Sequence, residues 1–198
     1  GFNGGSALSA GGDAAMAILV THISAAAGAM TWMFYEWVKF GKPTALGSVT
    51  GMVAGLGTIT PASGFVGPAG ALVIGIIAGV VCFNAVIIIK QKFKIDDSLD
   101  VFPVHGVGGI CGTMLVGFFA SKELGIFSGQ GGWSHEAIVI SDQLQIQFTA
   151  VIATVAYTAL ATFIILKLVD LVTGLRVDSQ TEIQGLDLDS HGEKGYDL

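Results

Sequence analysis

Five runs of mostly apolar residues, separated by polar or proline-containing segments, dominate the hydropathy pattern of the chain. A helix rises about 1.5 Å per residue, so all but the shortest run are long enough to cross the roughly 30 Å hydrocarbon core of a bilayer. The pattern therefore predicts an all-α fold, a polytopic membrane helix bundle. Its helices are predicted at about residues 14–37, 45–59, 69–89, 101–120 and 138–172.

The segments outside these runs are polar or rich in small residues. Residues 1–13 are predicted to be the end of an earlier transmembrane helix followed by a loop, and residues 173–198 a polar C-terminal tail. Because the chain opens on Gly1 without a methionine or a signal-peptide pattern, we expect an internal fragment or one half of a larger protein.

Composition agrees with a membrane location. Mean hydropathy is +0.73, and only 12% of residues are charged, against about 25% in average chains. Many glycines lie inside the apolar runs, where small residues let helices approach closely; Gly47, Gly51 and Gly55 share one helix ridge. Cys82 and Cys111 are expected to be packing residues rather than half of a disulfide or zinc site. The chain has no basic stripe that would indicate nucleic-acid binding.

Positive charge is distributed unequally between the two ends of the predicted helices. If all five runs cross the bilayer, most basic residues share a side with the tail, and the opposite loops carry only Lys122. The positive-inside rule then places the lysine-rich side and the tail in the cytoplasm. The first run also ends in aromatic residues that predict an interfacial belt. These aromatic residues are Trp32, Phe34, Tyr35 and Trp37.

The fourth run contains His105, five residues after Asp100. An ionisable side chain inside a membrane segment is costly, which makes His105 a candidate functional residue. Two interpretations stay open: a neutral imidazole buried in an apolar wall that lines a path or relays a proton, or a packing residue that links helices. Asp100 is predicted to cap the helix, and Pro103 to occupy its first turn, where a missing N–H is harmless.

Acidic residues near the helix ends are given structural roles. Asp96, Asp97 and Asp100 are expected to be structural or interfacial, at the cytoplasmic entrance of the His105 helix. Glu36 lies between two aromatic residues and is predicted to reach lipid headgroups or Lys39.

The remaining histidines are not expected to line a pore. His22 lies inside the first run beside Thr21 and Ser24, and is predicted to form a helix–helix hydrogen bond. His135 and His191 fall in a loop and in the tail, and we predict that both are solvated.

Motifs along nearly the whole chain resemble those of the Amt/Mep/Rh ammonium transporter family, in the same order. They are GFNGGS at 1–6, TW…EW…GKP at 31–43, ITPASG at 59–64, DVFPVHGVGG at 100–109 and GLRV…GLDLDSHGE at 174–193. The resemblance is to the C-terminal half of an Amt-type protein. It implies a fold of eleven helices, made of two inverted five-helix repeats around one pore, and assembly as a homotrimer. This chain would hold the second repeat.

The resemblance also implies roles for individual residues. His105 matches the second of the family's paired pore histidines, Phe2 is similar to the inner phenylalanine gate, and Ser6 to the serine that contacts ammonium outside that gate. Val101 looks like a residue of the cytoplasmic pore exit. The first pore histidine belongs to the half that is absent here. Pro103 stands where some members carry glycine, which affects only where the helix begins.

By resemblance, the protein is a transporter of the plasma membrane, not an enzyme, and needs no cofactor or metal. Ammonium would bind outside, lose its proton and cross as ammonia past the histidine pair. Alternatives are an ammonium sensor of the same fold, which the end of the chain at Leu198 argues against, and a neutral-gas channel of the Rh type, whose tail motif differs.

The acidic tail allows two interpretations. Its six acids, two bases and few large apolar residues are typical of disorder. The resemblance implies instead a folded cytoplasmic tail that binds a PII-type signalling protein, which blocks the pore exit. The tail residues that match the family are Gly174, Arg176, Gly185, Asp187, His191 and Glu193.

Overall fold

The computed structural model describes residues 1–127 and 138–195, and these are folded as helices and short connections. The predicted all-α fold is confirmed: within these two ranges, five helical segments are long and apolar enough to cross a membrane. The prediction for His135 falls outside the described residues. The α-helices are α1 Phe2–Gly5, α2 Gly12–Phe40, α3 Ala45–Ile59, α4 Pro68–Val86, α5 Val107–Phe119, α6 Ile140–Thr173 and α7 Ser179–Gln184.

Two π-helices flank the connection between α4 and α5. The first, Ile87–Lys92, continues α4, and the second, Val101–Gly106, leads directly into α5. A π-helix has one more residue per hydrogen-bonded ring than an α-helix, and such segments are rare and frequent at functional sites. The fourth membrane segment therefore begins with an irregular turn that contains His105.

Small residues allow α2, α3 and α4 to pack closely. A Cβ at Gly51 would meet the Trp32 side chain, and one at Gly55 would meet the backbone carbonyl of Ser24. The Ser24 hydroxyl donates to the Gly55 carbonyl oxygen at 2.9 Å, which joins α2 to α3. These contacts explain the glycine ridge predicted on α3.

Apolar side chains fill two buried clusters between the helices. One centres on Val20, Ile59 and Ile74. The other contains Trp32 and Phe83, whose rings meet edge to face with centroids 5.2 Å apart. Trp32 is therefore a core residue, and its assignment to an interfacial belt is wrong. Its ring is on the side of α2 that faces α4, whereas Phe34 and Trp37 are exposed.

The connection between α2 and α3 corrects the prediction for Glu36. Its carboxylate accepts hydrogen bonds from the Thr44 N–H at 2.7 Å and the Thr44 hydroxyl at 3.1 Å. The Thr44 hydroxyl oxygen in turn accepts from the Gly47 N–H at 2.9 Å and caps α3. Gly41, with φ of +78°, ends α2. Glu36 therefore stabilises the turn between the two helices, since its carboxylate binds the Thr44 N–H and hydroxyl eight residues further along the chain.

The chain divides into two compact units, Gly1–Val151 and Ile152–Leu198. The second contains the latter part of α6, which ends where Gly174 adopts a φ of +76°, and the tail. The described side chains of α6 are not buried in this structure. Within the tail, α7 is followed by a π-helix over Asp187–His191.

Candidate functional site

His105 lies in the π-helix that begins the fourth membrane segment, and its side chain is exposed. The preceding residues Pro103 and Val104 are buried. Sequence analysis placed the imidazole inside an apolar wall; within the described residues, the wall lies behind His105 and its ring faces outward. The irregular turn directs the neighbouring side chains inward and leaves His105 on an open surface.

The start of this π-helix leaves no early backbone donor unsatisfied. Asp97 accepts from the N–H groups of Val101 at 2.9 Å and Phe102 at 2.8 Å. Pro103 has no N–H, and the N–H of Val104 donates to the Asp100 carbonyl at 3.0 Å. The first turn of a helix normally leaves its N–H groups without a partner inside the helix. In this π-helix, Asp97 accepts from two of them, and Pro103 has none to satisfy.

The capping residue is Asp97, so the prediction for Asp100 is wrong. Asp100 occupies the position before the helix, but its backbone is left-handed, with φ of +55° and ψ of +35°, and its side chain makes no capping bond. Its carboxylate lies 2.9 Å from the Lys90 ammonium. The hydrogen bonds that the Asp97 carboxylate accepts, first from the Phe102 N–H and then from the Val101 N–H, lower the pKa of Asp97.

Helices α3 and α4 form the wall behind His105. Val104 packs with Trp32, Ala54 and Phe83, and the Cys82 thiol approaches the Val104 carbonyl at 3.9 Å. Cys82 is buried and, like Cys111, is a free thiol. The wall is mostly apolar, although it includes the Cys82 thiol and the buried hydroxyl of Thr58 on α3. The backbone turn, His105 and the Asp97 cap lie at its edge.

Phe2 is the first residue of α1 and Ser6 follows its last residue; this helix packs against α2. Phe2 is 83% exposed, and the Ser6 hydroxyl donates to the Phe2 carbonyl at 3.0 Å. Ser6 lines a cavity of about 240 Å³ with Asn3, Asp13 and neighbouring residues. The turn that carries His105 packs instead against α3 and α4. Phe2 and Ser6 thus lie on a different element of the bundle from His105.

Comparison with known proteins identifies the family. The profile of the Ammonium Transporter Family matches residues 1–196. The chain belongs to this family. The ammonium transporter Amt1 of Archaeoglobus fulgidus is 46% identical over 196 residues, which are 99% of this chain and 48% of that protein. The chain spans about half the length of the curated relatives it matches.

Solved structures of ammonium transporter proteins have the same fold as this chain. Saccharomyces cerevisiae Mep2 superposes with a TM-score of 0.76 and 37% identity, over 87% of this chain and 41% of that one. A structure described as a sensor Amt protein superposes with a TM-score of 0.83 and 30% identity, over 96% of this chain and 45% of that one.

The tail residues predicted from the family lie at or near helix ends, within a few residues of α6, α7 and the π-helix of the tail. Gly174 and Gly185, both with positive φ, follow α6 and α7. Asp187 and His191 are the first and last residues of the π-helix, and the Glu193 N–H donates to the Asp187 carbonyl at 3.1 Å. Arg176 pairs with the Glu182 carboxylate, which lowers the pKa of Glu182.

Sequence reasoning missed several polar contacts. His22 is exposed, and its ring nitrogen lies 3.0 Å from the Ile18 carbonyl of the same helix, so the predicted helix–helix bond is wrong. Its neighbours form such bonds instead: Ser24 bonds to α3, and Thr21 accepts from Asn3 at 2.9 Å. A serine or threonine on the buried face of α2 was the available signal, because short hydroxyl side chains recur at membrane helix contacts.

Proposed function

We propose that this chain is the second half of an ammonium transporter of the plasma membrane. The observation that carries the proposal is the family match over residues 1–196, together with a relative named as an ammonium transporter at 46% identity. The five apolar helices supply the membrane-spanning part. In this proposal the exposed His105 face is the side on which the pore is completed by the other half of the protein.

The mechanism we propose avoids moving a cation through an apolar path. Dehydrating ammonium against aliphatic side chains is prohibitive, because a charge inside a bilayer is costly. Ammonium is bound at the outer side near Ser6 and Phe2 and loses its proton, and ammonia crosses past His105 and a second histidine in the other half. The proton crosses separately by way of the two imidazoles, so that one positive charge moves inward with each ammonia. Val101, 53% exposed beside the Asp97 cap, lies toward the cytoplasmic exit. A neutral imidazole suits this path because it both donates and accepts hydrogen bonds.

Orientation follows from the lysines near the helix ends. Lys90 and Lys92 follow α4, and Lys39 lies in the last turn of α2. The positive-inside rule puts these ends in the cytoplasm, together with the tail. We extend the proposal to a homotrimer and to regulation by a PII-type signalling protein. The signalling protein would contact these residues of the tail: Gly174, Arg176, Gly185, Asp187, His191 and Glu193.

The test is the current that follows an ammonium concentration jump on a solid-supported membrane that holds the complete protein. We expect a transient inward current, and its loss or a change in selectivity in His105→Ala. His22→Ala is a matched control, since His22 is also an exposed histidine on a membrane helix, and it should leave the current unchanged. Unaltered transport and selectivity in His105→Ala would return His105 to a packing role.

A second candidate function is ammonium sensing, favoured by the likeness to the sensor Amt structure. A sensor would bind ammonium with little net flux, whereas a transporter gives flux that continues with the gradient. Ammonia flux without current would instead favour a neutral channel of the Rh type. Measuring uptake and current on the same proteoliposomes separates the three.

A further inference from the structure

An ion pair joins the two π-helices on either side of residues 93–100. Lys90 belongs to the π-helix that continues α4, and Asp100 immediately precedes the π-helix that carries His105. The ammonium nitrogen and a carboxylate oxygen are 2.9 Å apart, with the two side chains 37% and 19% exposed. Partial burial means that this pair is screened less by solvent than a pair on an open surface.

Asp100, which supplies the carboxylate of this pair, has an unfavourable backbone conformation. A φ of +55° brings the Cβ of an L-residue close to its own backbone. Aspartate tolerates this region better than most residues, but such a conformation persists only where the surroundings maintain it. The Asp100 carboxylate makes no capping bond to the helix and lies instead beside the Lys90 ammonium.

The same conformation sets the path of the chain into His105. The Asp100 carbonyl accepts the N–H of Val104, the residue before the histidine, at 3.0 Å. The Val104 carbonyl is in turn approached by the Cys82 thiol of α4. Helix α4 and its extension therefore hold the turn at two points, one polar at Lys90 and one at Cys82. His105 is the residue immediately after Val104, whose carbonyl the Cys82 thiol approaches.

We propose that Lys90 and Asp100 are positioning residues that fix the place of His105 during transport. The inference rests on the proposed function for its effect on flux. Neither residue touches the substrate in this scheme; they act through the backbone of residues 100–104. Loss of the pair lets the turn relax toward an ordinary helix start and displaces the imidazole, whose hydrogen bonds must be aligned with a small molecule.

The variants are chosen to separate charge from shape. Asp100→Asn keeps the size of the side chain and tolerates a positive φ, but removes the charge. Lys90→Gln removes the opposite charge, Lys90→Arg retains it, and Lys92→Gln is a control that removes an exposed lysine from the same π-helix. Currents are measured after ammonium jumps over a range of concentrations, per folded protein.

We expect Asp100→Asn and Lys90→Gln each to lower the maximal current about fivefold, the scale of a partly exposed ion pair. The half-saturating ammonium concentration should stay unchanged, because the outer binding step is remote from the pair. Lys90→Arg and Lys92→Gln should keep the original current. A loss confined to the yield of folded protein, or an equal loss in Lys92→Gln, would overturn the proposal.

A second readout is independent of transport. The ring nitrogen resonances of His105 should shift in Asp100→Asn, while those of His22 serve as an internal reference. Shifted resonances in Asp100→Asn, together with no current from the unaltered protein, would support the positioning role and refute the proposed function. Unshifted resonances with normal current would refute the positioning role alone. If Asp100→Asn does not fold, Lys90→Gln removes the pair without altering the residue at position 100, so normal current there overturns the proposal.

Discussion

The helix interior and the entrance to the His105 turn are stabilised in opposite ways. In the interior, helices meet at glycines, and Gly112 of α5 lies directly on the backbone of Thr58 in α3. At the entrance, the chain is held by the Asp97 cap and the Lys90–Asp100 pair. The interior depends on the space occupied by each residue, since backbone cannot move aside. The entrance depends on charge and hydrogen-bond acceptors, and can accept changes of size.

The largest effect is expected from adding a methyl group to the interior. Gly112→Ala would place a Cβ against the Thr58 carbonyl, and the helices must separate to accommodate it. We expect a loss of about 2–3 kcal/mol in the free energy of unfolding, typical of overpacking. Thermal denaturation of the complete protein in detergent measures it.

The control for this prediction lies one helical turn away. A Cβ at Gly109 would meet no atom within 4 Å, so Gly109→Ala should be neutral or slightly stabilising because alanine favours a helix. Equal melting temperatures for the two variants would remove the distinction between a space-limited interior and a charge-limited entrance.

A smaller effect, and one that depends on pH, is expected at the entrance. Asp97→Ala leaves the Val101 and Phe102 N–H groups without their acceptor, so it should lower the melting temperature at pH 7. The pKa of Asp97 is below its ordinary value of 3.8 in the folded protein. Its stabilisation is therefore complete above that value and is lost as the pH falls through the folded-state pKa.

The difference in melting temperature between Asp97→Ala and the unaltered protein should accordingly shrink when the pH is lowered below about 4. Asp97→Asn, which keeps one acceptor oxygen and cannot titrate, should give an intermediate value in neutral solution. A difference that is the same from pH 7 to pH 3 would show that the Asp97 cap does not depend on its charge.

The smallest effect is expected in the tail, which belongs neither to the helix interior nor to the entrance of the His105 turn. Asp178 accepts from the N–H groups of Gln180 and Thr181 at 2.9 and 3.0 Å. Asp178→Ala should speed amide hydrogen exchange at these two residues and leave the melting temperature unchanged. Asp189→Ala removes the same charge from the same tail and should leave both exchange rates as they were.

Hydropathy could predict the helices because the bilayer demands long apolar segments that satisfy their own backbone. It could not decide between Asp97 and Asp100 as the cap. Both are aspartates near the predicted start, and Asp100 occupies the expected position. The left-handed backbone at Asp100 turns its side chain toward Lys90 and leaves the task to Asp97. That choice depends on a lysine from another helix, which no local pattern contains.

Other parts of the site gave no local signal of their own. Phe2 and Ser6 were selected only by resemblance, since an exposed phenylalanine and a serine bonded to its own helix are unremarkable by themselves. Trp32 was misassigned because a tryptophan near a helix end suits an interface and a core equally well. The face of α2 that meets Phe83 decides between the two, and it depends on the packing of three helices.

The bond between Glu36 and Thr44 has a consequence for the order in which the protein is built. It closes a loop of only eight residues, and short loops close at little entropic cost. Helices α2 and α3 can therefore be inserted into the bilayer as one hairpin, with its turn already held at the membrane surface. The glycine contacts between α2 and α3 involve no later element, so we expect these two helices to pack together before α4 and α5 join them.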